Sequence, residues 1–465
     1  MGYYEEHKVN PRVLVWGGSQ RAEKLARAIA NQQPVVWAYR KPVPFSGRTV
    51  GIQTIWDKDL AYLKGKIGRF TVGLKGTEVE GVEVGAVILV PDPSRPVLNF
   101  PSCHEAAGYS VLVALMGVSR RTYSEALPEV LKLAERSRVW VVTDDIQTSF
   151  DGGEDLYTEA RRRGVVFVRT DRVPSTIPIP GLGRRIEATV FDRDLGREVC
   201  LEADFLVAPV WVLGDDMSVY FSRLGLMDFD WGDYPGGTNR EGIYIFPDPE
   251  GFMTEAEEET VIQALAAKVA VLARGRMRGE KRFEINAERC AYCLTCYRNC
   301  PHMAIEFRRD DRYANLYGEA CFIDDLSCRG CGLCYALCPA QAITEIGTES
   351  LPKAKPAILA CENAAGLVLK QAGTKYEYQL FPCAGAIGEN EMLRVLAANG
   401  GKRDLWIVTC IKDKCEHGHQ DMKLRGRVER LNKLLARLGI EARVNLMRMS
   451  AANSLSRFGV TGERT

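Results

Sequence analysis

Several scarcities bound what this 465-residue chain can be. Charge of one sign is missing: 61 basic and 60 acidic side chains leave a formal net charge of +1. A protein held to nucleic acid by a basic surface is therefore excluded, and the basic run from Arg274 to Arg282 is short enough to read as a solvated linker. Long apolar runs are missing too, since none approaches the roughly 18 residues a bilayer span needs. The first residues, MGYYEEHKVN, lack the basic and apolar regions of a secretory leader. The expectation is a cytoplasmic protein without a membrane span. Cysteine is nearly absent from the first 289 residues, where only Cys103 and Cys200 occur. That distribution excludes a disulfide framework spread through a secreted fold.

What is present begins with length and apolar content. The chain is 46% hydrophobic, enough to bury cores in two to four domains of ordinary size. RVLVWGGSQ, RAEKLARAIA and QPVVWAY read as strand, glycine turn, helix and strand, the opening of an α/β nucleotide-type fold. Helices over Ala126 to Ser137 and Leu156 to Arg163 alternate with strands Val139 to Thr143 and Val165 to Val168. Ile186 to Phe191 and Phe205 to Val210 read as strands of a small antiparallel insert. A strand from Gly242 to Phe246 and a helix from Glu255 to Leu272, opened by a capping box of Thr254 with Glu257, close the segment. Composition then changes abruptly to cysteine, proline and short polar pieces. Beyond Pro352 and Pro356 α/β texture returns, with strands AILAC, YQLFPC and LWIVTC, a helix from Glu389 and another over Val428 to Leu438. The fold class is α/β multidomain: a degenerate Rossmann-like FAD-type domain over 1–275, an α+β two-cluster ferredoxin over 284–348, and a C-terminal α/β domain over 353–460.

The middle segment carries the chemistry. CAYCLTCYRNCP and CRGCGLCYALCP are one pattern written twice, C-x2-C-x2-C-x3-C-P. Three closely spaced thiolates converge on neighbouring corners of one [4Fe-4S] cubane, while the fourth belongs to the other cluster. Site I is thus assigned to Cys290, Cys293, Cys296 and Cys338, and site II to Cys328, Cys331, Cys334 and Cys300. Structural zinc prefers four ligands arranged as pairs, which this spacing does not offer. Gly330 and Gly332 give loop amides room to approach the sulfides. Cys321 reads as a packed free thiol, Cys200 as a packed strand residue, and Cys103 with His104 as ordinary loop residues.

Four later cysteines, Cys361, Cys383, Cys410 and Cys415, end or follow predicted strands and can meet at one sheet edge. Four thiolates there suit a [2Fe-2S] centre or a zinc ion. His417 and His419 read as surface or supporting residues. Cys361, FPCAG, the VTC strand with its KDKCEHGH loop, and LLARLGIEARVNLMRMSAA resemble the delta subunit of methyl-viologen-reducing hydrogenase, which implies the [2Fe-2S] centre. The likeness departs where CENAA replaces a second early cysteine and where Cys415, Glu416 and His417 replace a CHY-type element.

The glycine turn, VGAVILVPD, VWVVTDDIQTSF and IYIFPDPEG follow the element order of the heterodisulfide reductase A-like proteins, a family that carries FAD. At the turn Gly17, Gly18, Ser19 and Ala22 put serine at the second motif glycine, and Tyr39 and Arg40 stand where a ribose-binding acid is expected. Val90, Pro91, Asp92 and Pro247, Asp248 replace further flavin-contact motifs. The reading is a vestigial flavin turn kept in a scaffold. The whole arrangement is similar to the B component of the quinone-interacting membrane-bound oxidoreductase. That resemblance implies a non-catalytic electron-transfer subunit. It would relay electrons between a donor module, such as a hydrogenase, formate dehydrogenase or flavoprotein, and a heterodisulfide reductase-like acceptor. The alternative is an FAD-containing, electron-bifurcating flavoenzyme core.

Overall fold

The computed structural model describes residues 3–40, 50–56, 59–75, 81–92, 95–178, 185–212, 218–226, 237–248, 252–309, 318–346, 356–372, 377–411, 415–418 and 420–450. Its amino-terminal half holds two parallel sheets with separate cores. In the first, strands run in the order Ile243–Ile245, Ala86–Leu89, Val13–Trp16, Val35–Tyr39 and Ile52–Trp56. Val13–Trp16 and Val35–Tyr39 are buried at every position, so they read as apolar runs without alternation. Helices Gln20–Ala30 and Glu255–Val269 pack together beside this sheet, and Thr254 with Glu257 forms the expected capping box.

The second parallel sheet orders Val166–Arg169, Arg138–Thr143, Ser110–Leu115 and Phe205–Val207. Each of the two sheets is accompanied by a three-stranded antiparallel meander, Asp59–Lys66, Arg69–Lys75 and Val82–Val84 for the first, and Ser175–Pro178, Ile186–Asp192 and Arg197–Ala203 for the second. Two readings from sequence are corrected here. Phe205–Val207 joins the parallel sheet beside Ser110–Leu115 and not the antiparallel insert. The charged run taken for a linker is a strand, Arg276–Lys281, paired antiparallel with Tyr3–Lys8. Its charges form diagonal ion pairs across the ladder, Lys281 with Glu5 at 2.7 Å and Arg276 with Glu6 at 3.3 Å.

The middle segment is a pseudo-symmetric α+β unit. Phe283–Ile285 pairs with Ile343–Glu345, Ile305–Arg309 pairs with Glu319–Ile323, and five-residue helices Thr295–Asn299 and Leu333–Leu337 lie between. The C-terminal unit is a four-stranded parallel sheet ordered Tyr378–Phe381, Ile358–Cys361, Leu405–Cys410 and Val444–Met449. Helix Gln420–Arg437 starts eight residues before the position read from periodicity. Residues 353–355 and 451–460 of the expected C-terminal domain lie outside the described residues, as does His419.

Candidate metal centres

The ferredoxin loops reverse direction tightly around each site, and left-handed backbone makes this possible. Tyr292 and Leu294 have φ of 48° and 57°, and their counterparts Gly330 and Gly332 have 66° and 71°. Left-handed residues carry a steric cost that glycine avoids. The loops bring the thiols inward in two groups. Cys290, Cys293, Cys296 and Cys338 line one cavity, and Cys300, Cys328, Cys331 and Cys334 line the other. The fourth cysteine of each run therefore faces the cavity of the opposite run.

Backbone N-H groups point at sulfur in both. Ala304 donates to Cys300 Sγ at 3.4 Å and Ala342 to Cys338 Sγ at 3.3 Å, the same bond in each repeat, while Gly330 donates to Cys328 Sγ at 3.4 Å. Such bonds favour the charged thiolate and so favour metal ligation. Burial opposes them, pushing the Cys331 thiol up to about 12 and Cys328 to about 11. A cation at site II would reverse that by supplying the missing charge. The two sites differ in exposure: Cys293 of site I is exposed, whereas Cys331 is buried.

The C-terminal cysteines meet at the end of the parallel sheet. Cys361 and Cys410 close neighbouring strands and their sulfurs lie 3.7 Å apart. Cys415 packs against Cys383 and lies near Cys410. Cys383 Sγ accepts from Gly385 N at 3.3 Å. The bond from Cys410 draws the Cys361 thiol down to about 7, and the neighbouring thiols of Cys383 and Cys410 lower Cys415 as well. Among the described residues the one trio of candidate ligand atoms lying within 4.8 Å of one another is Glu5, His7 and Asp325. The four C-terminal thiols thus form a chain of pairwise contacts and not a compact tetrahedron.

Site II and the C-terminal thiols share one apolar seam. Cys331, Leu333 and Cys383 are buried together, with Leu337 and Cys415 packed against them. A Cβ at Gly332 would lie 2.6 Å from Ala386 Cβ, so glycine permits the close approach. Beside this seam sits a contact that sequence reading missed. His302 and His417 are 2% and 5% exposed, and His302 Nε2 lies 2.8 Å from His417 Nδ1. His302 Nδ1 faces the Asn239 carbonyl at 2.9 Å. A carbonyl only accepts, so in the neutral ring His302 Nδ1 carries the proton, its Nε2 accepts, and His417 Nδ1 donates. Burial, and secondarily the neighbouring ring, lowers the His302 pKa to about 3. The CPH and CEH contexts of the two histidines gave no signal that they would meet.

The amino-terminal half grips site II from the other side. Asn239 Nδ2 donates to Pro301 O at 2.8 Å, Lys66 Nζ to Met303 O at 2.9 Å, and Arg329 bonds Glu241 at 3.0 Å and Thr238 O at 2.9 Å. Arg69 pairs with Asp324 just ahead of Cys328.

The glycine turn of the first sheet is engaged in protein contacts of its own. Ser19 Oγ caps its own helix by accepting from Ala22 N at 3.3 Å. A Cβ at Gly17 would meet Val90 O at 2.1 Å, so the loop after the Ala86–Leu89 strand is packed onto the turn. Arg21, buried in the first helical turn, donates to Glu258 at 2.5 Å, to Asp248 Oδ2 at 2.7 Å and to Asp248 O at 3.0 Å. Glu258 is shared with Arg121 from the helix of the second sheet. The first turn of the Gln20–Ala30 helix, the kind of place where a helix start can hold a phosphate, thus carries a buried ion pair, and Asp248 is bonded to Arg21. Of the remaining cysteines, Cys103 is half-buried and Cys200 is exposed on its strand, so the packed reading of Cys200 is corrected.

Residues 282–339 match the family model described as 4Fe-4S dicluster domain. The middle of the chain is a 4Fe-4S dicluster domain. Residues 357–459 match the model of the methyl-viologen-reducing hydrogenase, delta subunit. Among curated proteins the chain is similar to indolepyruvate oxidoreductase subunit IorA of Methanothermobacter thermautotrophicus, 36% identical over 20% of this chain and 13% of that protein. It is also similar to dihydromethanopterin reductase (acceptor) of Methanosarcina mazei, 36% identical over 18% of this chain and 34% of that protein. The chain therefore spans about an eighth to a third of the curated relatives it matches. Solved structures with a similar course include T. acidophilum thioredoxin reductase, 11% identical, covering 58% of this chain and 98% of that one at a TM-score of 0.36. DfoA bound to FAD, the cadaverine monooxygenase of Erwinia amylovora, is 8% identical, covering 58% and 94% at a TM-score of 0.36. Among the described residues no helix is long and apolar enough to cross a membrane.

Proposed function

We propose that the chain is a wiring subunit of a multisubunit oxidoreductase, with three thiolate sites in series. Their order is Cys361, Cys383, Cys410 and Cys415, then site II, then site I. The clusters these residues would hold store and pass single electrons. The protein holds the thiolates, excludes water from the middle site, and fixes the spacing. The observation that carries the reading is the shared seam of Cys331, Leu333, Cys383 and Cys415, with Gly332 against Ala386. It leaves no layer of protein between the second ferredoxin loop and the C-terminal thiols. Exposed Cys293 makes site I the end open to a partner.

The C-terminal site is read as [2Fe-2S]. A tetrahedral zinc with bonds of about 2.3 Å would draw all four sulfurs to about 3.8 Å of one another, whereas these thiols follow one another in a chain of contacts. The amino-terminal half serves as the scaffold that clamps site II, with Arg21 beside its glycine turn held in an ion pair. Donor and acceptor modules of the hydrogenase, formate dehydrogenase or heterodisulfide reductase kind fit the two ends, and the compartment fitting this chemistry is the reducing cytoplasm.

Anaerobic reconstitution of the full chain tests this. About ten iron atoms per chain, two [4Fe-4S] signals and one [2Fe-2S] signal in electron paramagnetic resonance after dithionite, and no flavin on acid release are expected. Bound zinc in the C-terminal unit, or stoichiometric flavin, would overturn the corresponding assignment.

A further inference from the structure

Site I holds five cysteines where site II holds four. Cys321 lies on the strand Glu319–Ile323, is 1% exposed, and lines the same cavity as Cys290, Cys293, Cys296 and Cys338. Its thiol shares that cavity with the thiols of Cys296 and Cys290 and lies close enough to interact with them. The internal repeat supplies its control. The position 38 residues earlier, the same offset as Cys290 to Cys328, is Phe283, which lines the cavity of site II. At one place in the duplicated fold, site I has a thiol and site II has a hydrocarbon ring.

We infer that Cys321 is a positioning residue that tunes site I, its one S-H donating to a ligand sulfur, that of Cys296 or of Cys290, and raising the reduction potential there. The inference rests on the reading of the middle segment as a two-cluster ferredoxin. A donor to a ligand sulfur draws electron density from the iron and stabilises the more negative, reduced state, so hydrogen bonds to sulfur raise cluster potentials. Phe283 offers no donor. Cys321 is not needed as a ligand, because Cys290, Cys293, Cys296 and Cys338 already complete the set. Its place on a paired strand, with Cys321 opposite Phe307 in the ladder, holds the thiol fixed.

The test is a redox titration followed by electron paramagnetic resonance on the anaerobically reconstituted full chain, comparing Cys321→Ala and Cys321→Ser with the natural protein. Cys321→Ala is expected to move the site I midpoint downward with iron content unchanged and site II unmoved. Cys321→Ser, which keeps a donor, is expected to restore most of the shift. An unmoved site I midpoint in Cys321→Ala overturns the inference, as does an equal shift at both sites. Loss of about four iron atoms from either variant also overturns it, making Cys321 a ligand or a packing element. Natural protein that shows fewer than two cubane signals would instead sink the two-cluster reading, before any variant is compared.

Discussion

The two ferredoxin repeats are the same loop written twice, and they differ in what presses on them. Each bends through two left-handed positions, which are Tyr292 and Leu294 in the first and Gly330 and Gly332 in the second. The first repeat tolerates side chains there because its loop faces outward, with Tyr292 stacked edge-on against Phe307 and Cys293 exposed. The second has neighbours at van der Waals distance or closer. A Cβ at Gly330 would fall 2.4 Å from Arg282 Cδ, and one at Gly332 would fall 2.6 Å from Ala386 Cβ. Duplication has kept the geometry that surrounds a cluster, and the residues that diverged are those that meet the rest of the protein. At Gly332 glycine marks the docked face, and at Gly330 it makes room for Arg282 of the ferredoxin itself.

Removing one thiolate from each repeat should break the symmetry most sharply. Cys331→Ala is expected to cost about four irons and to interrupt the series, so that site I is no longer reduced from the C-terminal end. Cys293→Ala is expected to alter site I while site II and the C-terminal centre are still reduced from that end. Stopped-flow reduction followed by freeze-quench spectroscopy reads both outcomes. Equal loss of C-terminal to site II transfer in the two variants would contradict the proposed order.

Much of this contrast was legible in the sequence, and the unread part has a common cause. The two C-x2-C-x2-C-x3-C-P runs announced both cavities because ligand spacing is local. Cys361 and Cys410 could be placed at one sheet edge because parallel strands end together. What was unread depends on contacts between distant segments. The run Arg274 to Arg282 looks like a linker until Tyr3–Lys8 supplies its partner strand. Cys321 looks like a packed thiol until the strand Glu319–Ile323 is folded onto Cys296. His302 and His417 lie in different domains, and no local pattern marks a pair whose partners are 115 residues apart. The glycine turn showed its missing motif positions, but not that Arg21 and Asp248 would pair.

A side chain at the docked loop is the next largest perturbation. Gly332→Val places a β-branched residue at a left-handed position and drives its Cβ into Ala386, so a cost of about 3 kcal/mol is expected. Leu294→Val makes a smaller change at the matching position of site I, where the backbone already carries a side chain, and about 1 kcal/mol is expected. Urea unfolding of the anaerobic holoprotein gives both values, and protease nicking between the ferredoxin and the C-terminal unit should rise only for Gly332→Val. Similar costs for the two variants would show that the docked face does not explain Gly332.

The smallest effect belongs to the histidine pair, which exists on the site II side alone. Burial lowers the His302 pKa to about 3 and lowers His417 as well, against about 6.5 in an unfolded chain. Between those values the unfolded chain binds protons that the folded chain does not, so stability rises with pH in that window. The contribution is fully present above about pH 6.5 and is lost as pH falls, at about 1 kcal/mol per pH unit for each histidine. His417→Ala removes one titrating ring and leaves His302 Nε2 without its donor. It should lower stability at pH 7.5 by about 2 kcal/mol and flatten the decline between pH 7.5 and 5.5, a range to be scanned by urea midpoints on anaerobic protein. An unchanged pH slope would mean that the pair takes up protons in the folded state, and that the seam beside site II is wetter than its burial implies.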